Sequence, residues 1–554
     1  MNISGHQMII KTYSTIIGLT IALMLPPGGA RAEQPGIRDA FAEAVAKIGR
    51  GSMAEREQGI AALAESGHPR SPDILQALLD GRLYLEKASG RPVIAEKNNG
   101  RYRIEEASNG ADLGLAEAEA IGRINVTSRL RGELRKLIGR LRLGSEDASA
   151  RLAAIGAMMK DADQDALDLL QKHRAAETDE RVKQAIALIF LVRDLDSDDK
   201  AARLKAIQAL KDYDSQAVVN KLNAMLEADG EGGYAEADAD IRSEAKTTLR
   251  SIEARIHFYR SIETVFFGLS LGAVLVLAAI GLAITFGVMG VINMAHGELM
   301  MLGAYTTYVI QQLLPDSLGL SIFLAIPAAF LISALAGLAI ERGLIRFLYG
   351  RPLETLLATF GVSLILQQGV RSIFSPLNRS VATPEWMSGS WQINDFLSLT
   401  WNRFYILIFC LLVFAALLQI LKRTRLGLEV RAVAQNRRMA KAMGIPTGRV
   451  DAMTFALGSG IAGVAGVALS QITNVGPNLG QAYIVDSFMV VVFGGVGNLF
   501  GTLVAGFSLG IANKFLEPYA GAVLAKILVL VFIILFIQKR PRGLFPQKGR
   551  AAEA

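Results

Sequence analysis

Cysteine is nearly absent: the chain has 554 residues and one thiol, Cys410. A single cysteine excludes an intrachain disulfide framework and a cysteine-based metal site, and it leaves the redox compartment unreadable. A Gly-x-x-x-x-Gly-Lys-[Ser/Thr] phosphate loop is also missing, so ATP hydrolysis at such a loop has to come from another chain. The apolar segments hold no His-x-x-x-His or Asp-x-x-Asp arrangement. No catalytic residue, metal ligand or cofactor is expected, and a membrane enzyme is the least favoured class.

Charge is scarce in one half only. Between Val265 and Glu341 the charged side chains are Glu298, Asp316 and Glu341, and the run stays almost continuously apolar to Gln538. A hydrocarbon core about 30 Å thick needs roughly 20 apolar residues per helical crossing. With 51% hydrophobic composition and a positive mean hydropathy, the chain is too apolar for an ordinary soluble protein. The net charge of +7 does not call for nucleic acid, because much of the basic excess sits in loops between apolar segments, where cytoplasmic placement explains it. Membrane lipid is the expected surrounding of residues 261–540.

Crossings are expected near 265–289, 294–313, 320–341, 353–374, 404–421, 451–472 and 521–538. Tyr483–Phe515 is interrupted by Gly494, Gly495, Gly497 and Gly501 and reads as two short crossings or a re-entrant hairpin, giving about seven to nine crossings. Basic clusters come after several of them: Arg342, Arg346 and Arg351; the loop 422–450 with Lys422, Arg423, Arg425, Arg431, Arg437, Arg438, Lys441 and Arg449; and the end of the chain, with Lys539, Arg540, Arg542, Lys548 and Arg550. The positive-inside rule places these, and the tail 541–554, in the cytoplasm. The connection from Ser375 to Asn402, with Trp386, Trp391 and Trp401, is then expected outside.

Residues 1–32 read as a secretory signal: Lys11, an apolar stretch from Ile16 to Leu25, and Ala30-Arg31-Ala32 before the cleavage point. An uncleaved anchor is the alternative, and in either case the region after residue 32 is exported. Residues 33–260 are rich in Ala, Leu, Glu and Arg. Helical segments recur there at Ala150–Met158, Ala202–Leu210 and Asp240–Leu249, with echoes at Arg56–Leu63 and Arg181–Ile189. The pattern suggests stacked HEAT-like pairs or an ordinary helical bundle. His68 and His173 read as isolated surface residues, Gly230–Gly233 as a loop, and Ile241–Arg260 as a helix leading into the membrane. The fold class expected is all-α: a polytopic helical membrane domain behind an exported helical domain.

Polar side chains inside the apolar run mark a pathway or a packing contact. Thr285, Asn293, His296, Glu298, Thr359, Ser363, Gln367 and Gln368 are the candidates for a solute path. For each, a hydrogen bond between packed helices explains the residue equally well, and a local pairing of His296 with Glu298 is a structural alternative. Gly458, Gly460, Gly463 and Gly466 suit close helix packing, whereas Gly494–Gly501 suits a broken helix. Glu429–Met443 has helical composition and is closed by Gly444 and Pro446; it reads as a helix lying on the lipid surface or as a knob that docks into a motor subunit.

The segment Gly287-Val-Met-Gly-Val-Ile-Asn-Met-Ala-His-Gly-Glu298, together with Gly303-Ala-Tyr305, resembles the signature of the membrane subunits of ABC importers for branched-chain amino acids and related solutes. The loop Arg425–Pro446 resembles that family's coupling loop, which implies contact with an ATPase through Glu429, Arg431, Ala432, Asn436, Ala440 and Gly444. Val492–Thr502 matches as well. With its N-terminal extension, the whole chain is similar to urea-type ABC transporter permeases. The resemblance implies a second, related permease subunit, two cytoplasmic ATPases, a periplasmic solute-binding protein, and an inner-membrane location with the N-terminal domain periplasmic. Branched-chain amino acid import, a passive urea or amide channel, and a membrane-anchored scaffold are the rival readings.

Overall fold

The computed structural model describes residues 35–50, 52–98, 101–159, 164–228 and 234–546. The expected signal segment, the Gly230–Gly233 loop, and Lys548 and Arg550 lie outside the described residues. The chain forms two compact units, Met1–Leu210 and Lys211–Ala554, so the division falls earlier than the shift in composition near residue 260.

The first unit opens with α1 (Pro35–Arg50), α2 (Met53–Glu65) and α3 (Ser71–Leu79). Ser52 and Glu55 form a reciprocal capping box at the start of α2, satisfying backbone donors that a helix start leaves free. The chain then departs from the all-α expectation. Strands β1 (Leu83–Glu86), β2 (Pro92–Asn98), β3 (Arg101–Glu106), β4 (Asp112–Ala116) and β5 (Ile121–Arg123) make an antiparallel sheet in the order β4-β3-β2-β1-β5. The physical reason is a switch of period. Val93 and Ala95 on β2 and Ile104 on β3 are buried at two-residue spacing or across the ladder, and Gly90 and Gly110 close the hairpins with positive φ. Alternation of this kind belongs to strands.

Helices resume with α4 (Ser128–Leu143), α5 (Ala148–Met158), α6 (Gln164–Ala176), α7 (Glu180–Asp194) and α8 (Lys200–Leu210). The recurring segments recognised in the sequence up to Leu210 all fall within helices. His68 and His173 are less isolated than expected. His68 stacks on Phe41 at 3.7 Å, and His173 Nε2 lies 3.0 Å from Glu177 Oε2.

Glu177 is an electrostatic knot. Its carboxylate accepts two bonds from Arg151, at 2.9 and 2.8 Å, and backbone N–H bonds from Thr178 and Asp179 at 2.9 Å each. The Arg151 pair, helped by those amides and by His173, outweighs the cost of burial and holds the carboxyl down at about 2. Because the folded value lies below the unfolded one, the contribution is present above about pH 4.5 and is lost as pH falls toward 2. Its size is about 3 kcal/mol. We expect amides of α5 and α7 to lose hydrogen-exchange protection across that window, and Glu177→Gln to weaken protection at neutral pH and flatten the pH dependence.

The second unit begins with α9 (Gln216–Leu226) and α10 (Ala239–Met289), a continuous helix of 51 residues. Ile241, Ala245, Leu249, Ile252 and Ile256 form its buried stripe before the apolar part. Arg255 ties it to Asp214 at 2.9 Å. Next come α11 (His296–Leu313), α12 (Leu318–Gly343), α13 (Pro352–Phe374), the hairpin β6 (Ser390–Asn394) and β7 (Leu397–Thr400), α14 (Trp401–Arg423), α15 (Arg425–Gln435), α16 (Arg437–Ala442), α17 (Thr447–Ser470), α18 (Leu479–Gly494) and α19 (Leu499–Lys539).

Among the described residues, α10, α12 with the turn after it, α13, α14, α17 and α19 are the six helices long and apolar enough to cross a membrane. The seven to nine expected crossings thus become six such helices plus the shorter α11 and α18. α19 is two segments joined at a kink, with Pro518 inside and Gly521 at φ 76°, ψ 161°. The segment expected at 521–538 is its second part. The Tyr483–Phe515 region is two helices separated by a turn in which Gly495 and Gly497 take φ of 105° and 79°, conformations that cost a residue with a Cβ.

α10 and α17 lie mostly inside the bundle, while α12, α13, α14 and the end of α19 turn most of their apolar surface outward. The glycines of α17 serve packing: a Cβ at Gly458, Gly463 or Gly466 would strike the backbone of Gly281, Ala329 or Met300, respectively. Close backbone approach of this kind is how membrane helices associate. At the end of the bundle that carries the β6–β7 hairpin, Trp391 stacks on Trp401 with ring centroids 6.4 Å apart, and Trp386 meets Tyr405 edge-on at 5.0 Å.

Candidate functional site

Thr355, Thr359, Ser363 and Gln367 recur every four residues along α13, so a single face of that helix is polar, and all four are buried. Opposite it, the chain between α10 and α11 is not helical. Gly290 ends α10 in the left-handed conformation, and α11 starts at His296. This break inside the apolar region presents polar groups to α13, and irregular backbone at membrane depth is tolerated where it is buried in protein, as Asn293 and Glu298 are.

Glu298, in the first turn of α11, is the centre. Its Oε1 accepts from Ser363 Oγ at 2.6 Å and from Gln367 Nε2 at 2.6 Å. Its Oε2 is buried without a hydrogen-bond partner and faces Gly480, where an added Cβ would collide with that oxygen. Thr359 Oγ1 accepts from the Met294 amide at 3.1 Å and donates to the Leu356 carbonyl at 3.0 Å. Asn293 Oδ1 accepts from the Ala295 amide at 3.0 Å, whereas Asn293 Nδ2 is buried without a partner.

The structure therefore gathers Asn293, Glu298, Thr359, Ser363 and Gln367 around the α10–α11 break. Three candidates stand apart. Thr285 donates to its own helix, to Gly281 and Leu282 carbonyls at 3.2 and 3.1 Å. His296 is fully buried and points back to α10, where its Nε2 donates to the Ala278 carbonyl at 2.9 Å; the local pairing with Glu298 does not occur. Gln368 is exposed on another face of α13. Thr355 was missed, although the four-residue spacing of Thr359, Ser363 and Gln367 extends to it. Gly480 was missed for a better reason, since nothing in the sequence links it to Glu298.

The loop after α14 differs from the single helix expected over Glu429–Met443. It is two helices, α15 and α16, broken at Asn436, which is extended (φ −151°, ψ 99°) and caps α16 by accepting from the Met439 amide at 3.0 Å. An Asx side chain that caps the next helix competes with continuation of the previous one. Arg431 donates to the Leu421 carbonyl. Glu429 and Ala432 are half-buried, Ala440 is buried, and Gly444 ends the segment at φ 86°. Ala440 packs with Val430, Val433 and Val450, while Leu428, Met439 and Met443 are exposed.

An ion pair also fixes this loop to the bundle. Arg437 grips the buried Asp451 of α17 with both Nη groups, Nη1 to Oδ1 at 2.9 Å. The same guanidinium lies 3.9 Å above the Tyr349 ring. A bidentate Arg–carboxylate pair combined with a cation–π contact gives one geometry rather than a mobile tether.

Residues 264–537 match the family described as branched-chain amino acid transport system / permease component. The high-affinity branched-chain amino acid transport system permease protein LivH of Escherichia coli (strain K12) is 32% identical over 297 residues, which is 52% of this chain and 96% of that protein. The corresponding BraD of Pseudomonas aeruginosa is 29% identical over 296 residues, 52% of this chain and 96% of its own length. LivM of Salmonella typhimurium is 25% identical over 299 residues, 49% of this chain and 67% of LivM. No solved structure matches the chain. With a polytopic helical unit occupying the matched residues and the LivH match spanning nearly the whole of that permease, the chain belongs to the branched-chain amino acid ABC permease family.

Proposed function

We propose that this chain is one permease subunit of an ATP-driven importer and that urea is its solute, carried by alternating access along the polar face of α13. The observation that carries this reading is the buried Glu298–Ser363–Gln367 cluster, with an unpartnered acceptor at Glu298 Oε2 and an unpartnered donor at Asn293 Nδ2. Urea is neutral and planar, with four N–H donors and one carbonyl, so it asks for acceptors and a donor and needs no counter-charge. Among the described residues no lysine or arginine hydrogen-bonds to the cluster, as a solute carboxylate would favour. The N-terminal extension ahead of residue 264 supports the same assignment by resemblance to urea-type permeases.

Branched-chain amino acid import is the second reading, favoured by the names of the relatives. In both, a related permease subunit completes the path, two ATPases dock on α15–α16, and a solute-binding protein delivers from the opposite side. Residues 33–260 form the exported domain, which docks the binding protein, and the C-terminus is cytoplasmic.

Proteoliposomes holding this chain, its partner permease, the ATPases and the binding protein provide the test. ATP-dependent uptake of labelled urea without leucine is expected. Leucine uptake alone would overturn the solute and keep the mechanism; urea entry through this chain alone without ATP would make it a channel.

A further inference from the structure

The solute cluster ends at Gln367, and one turn further along the same face of α13, about 6 Å along the axis, stands Arg371. Its Nη2 donates to Asn478 Oδ1 at 2.7 Å. Asn478 is the N-cap residue of α18, yet its side chain makes no capping bond there. Asparagine at this position ordinarily satisfies the helix start, so its oxygen is committed across the mouth of the path instead. α18 is also the helix whose Gly480 abuts the free oxygen of Glu298.

A strap surrounds this contact. After α13 the chain turns at Ser375, the one non-glycine residue with positive φ (80°) among the described residues. Arg379 then pairs backbone to backbone with Val475, at 2.7 and 2.8 Å, and its Nη2 donates to the Phe374 carbonyl at 3.0 Å. Gln311 of α11 holds Ala382 with both ends of its side-chain amide: Nε2 donates to the Ala382 carbonyl at 2.8 Å, and Oε1 accepts from the Ala382 N–H at 2.7 Å. Beneath, Phe374 lies against Tyr305 with ring centroids 4.8 Å apart. The strap joins the ends of α11 and α13 to the start of α18 at the end of α14 remote from the coupling loop.

We propose that Arg371 and Asn478 are the latch of the outer gate of the solute path, and that opening the path to the binding-protein side breaks their contact. The assignment of sides rests on the function proposed above. Arg371 is a positioning residue: it holds α18 against α13 and keeps Gln367 and Glu298 shut away, and it is not assigned any contact with solute.

The test uses the assembled complex with Cys410→Ser and a reporter cysteine, Gln367→Cys, attacked by a membrane-impermeant thiol reagent applied on the side opposite the ATPases. In resting complex, Arg371→Ala and Asn478→Ala are expected to speed labelling about tenfold, the scale of one charge-assisted hydrogen bond. Asn478→Asp, which keeps an acceptor for Arg371, should leave labelling at or below the parent rate, a sign that general loosening would not give. Unchanged labelling in Arg371→Ala, at equal assembly with the ATPases, overturns the latch. Uptake of labelled urea and leucine by the complex with native Gln367 is measured in parallel: failure there overturns the transport reading, whereas the labelling rates decide the latch alone.

Discussion

Glu298→Ala is expected to lower uptake at least about 100-fold at equal membrane abundance. The variant removes the acceptor shared by Ser363 Oγ and Gln367 Nε2 and leaves both buried donors to be satisfied elsewhere. Leaving a buried donor unsatisfied costs about 1–3 kcal/mol, and tenfold corresponds to about 1.4 kcal/mol. Glu298→Gln is expected to be milder, about tenfold, because its amide carbonyl still accepts from both partners while an N–H donor replaces the oxygen that faces Gly480. ATP-dependent uptake by reconstituted complex checks both. Wild-type rates for Glu298→Ala would take the carboxylate out of the path and return Ser363 and Gln367 to a packing role.

A second large effect is expected at the α15–α16 loop, the proposed docking site of the ATPases. Asp451→Ala strips Arg437 of its bidentate partner and leaves α16 held by the Tyr349 ring and the Val430–Val433–Ala440 contacts. The charge left unpaired, on Arg437, is partly exposed, so the cost is that of the lost hydrogen bonds to a charged group, about 1.5–3 kcal/mol. The loss falls on the geometry of a surface helix rather than on the bundle. ATP hydrolysis by the complex should therefore continue, while solute moved per ATP falls more than tenfold. Measuring hydrolysis and uptake on the same vesicles separates this from misassembly, which would lower both. A proportional loss of the two activities would show that the pair only supports folding.

Much of the membrane unit was legible because lipid imposes a long, simple pattern. The apolar runs gave most helices within a few residues, and Asn293, Glu298, Thr359, Ser363 and Gln367 stood out as polar residues where hydrocarbon penalises them. The same reasoning also picked Thr285, His296 and Gln368, because a sequence shows that a side chain is polar but not whether it bonds to its own helix, to a neighbour or to the outside. Asn436 hid its break for a related reason. A helical composition over Glu429–Met443 outweighs one capping residue until the backbone is seen. The sheet from Leu83 to Arg123 leaves only a faint mark, in Leu83 and Leu85 and in Val93 and Ala95, because a two-residue period over strands as short as the four residues of β1 is weak beside the long Ala- and Leu-rich helices around it.

The length of α10 has a mechanical consequence. At about 1.5 Å per residue, its 51 residues span about 77 Å, well over twice a hydrocarbon core of about 30 Å. The part before Val265 is a stiff shaft braced by Arg255 on Asp214 and by the stripe from Ile241 to Ile256. A tilt of a few degrees at the hydrocarbon pivot displaces the far end by several ångströms, so small rocking inside the bilayer is magnified well beyond it. The same helix runs unbroken from the residue after Asp238 to the Gly290 break, so a load placed near Asp238 would be passed to the residues beside that break, where Asn293 and Glu298 begin.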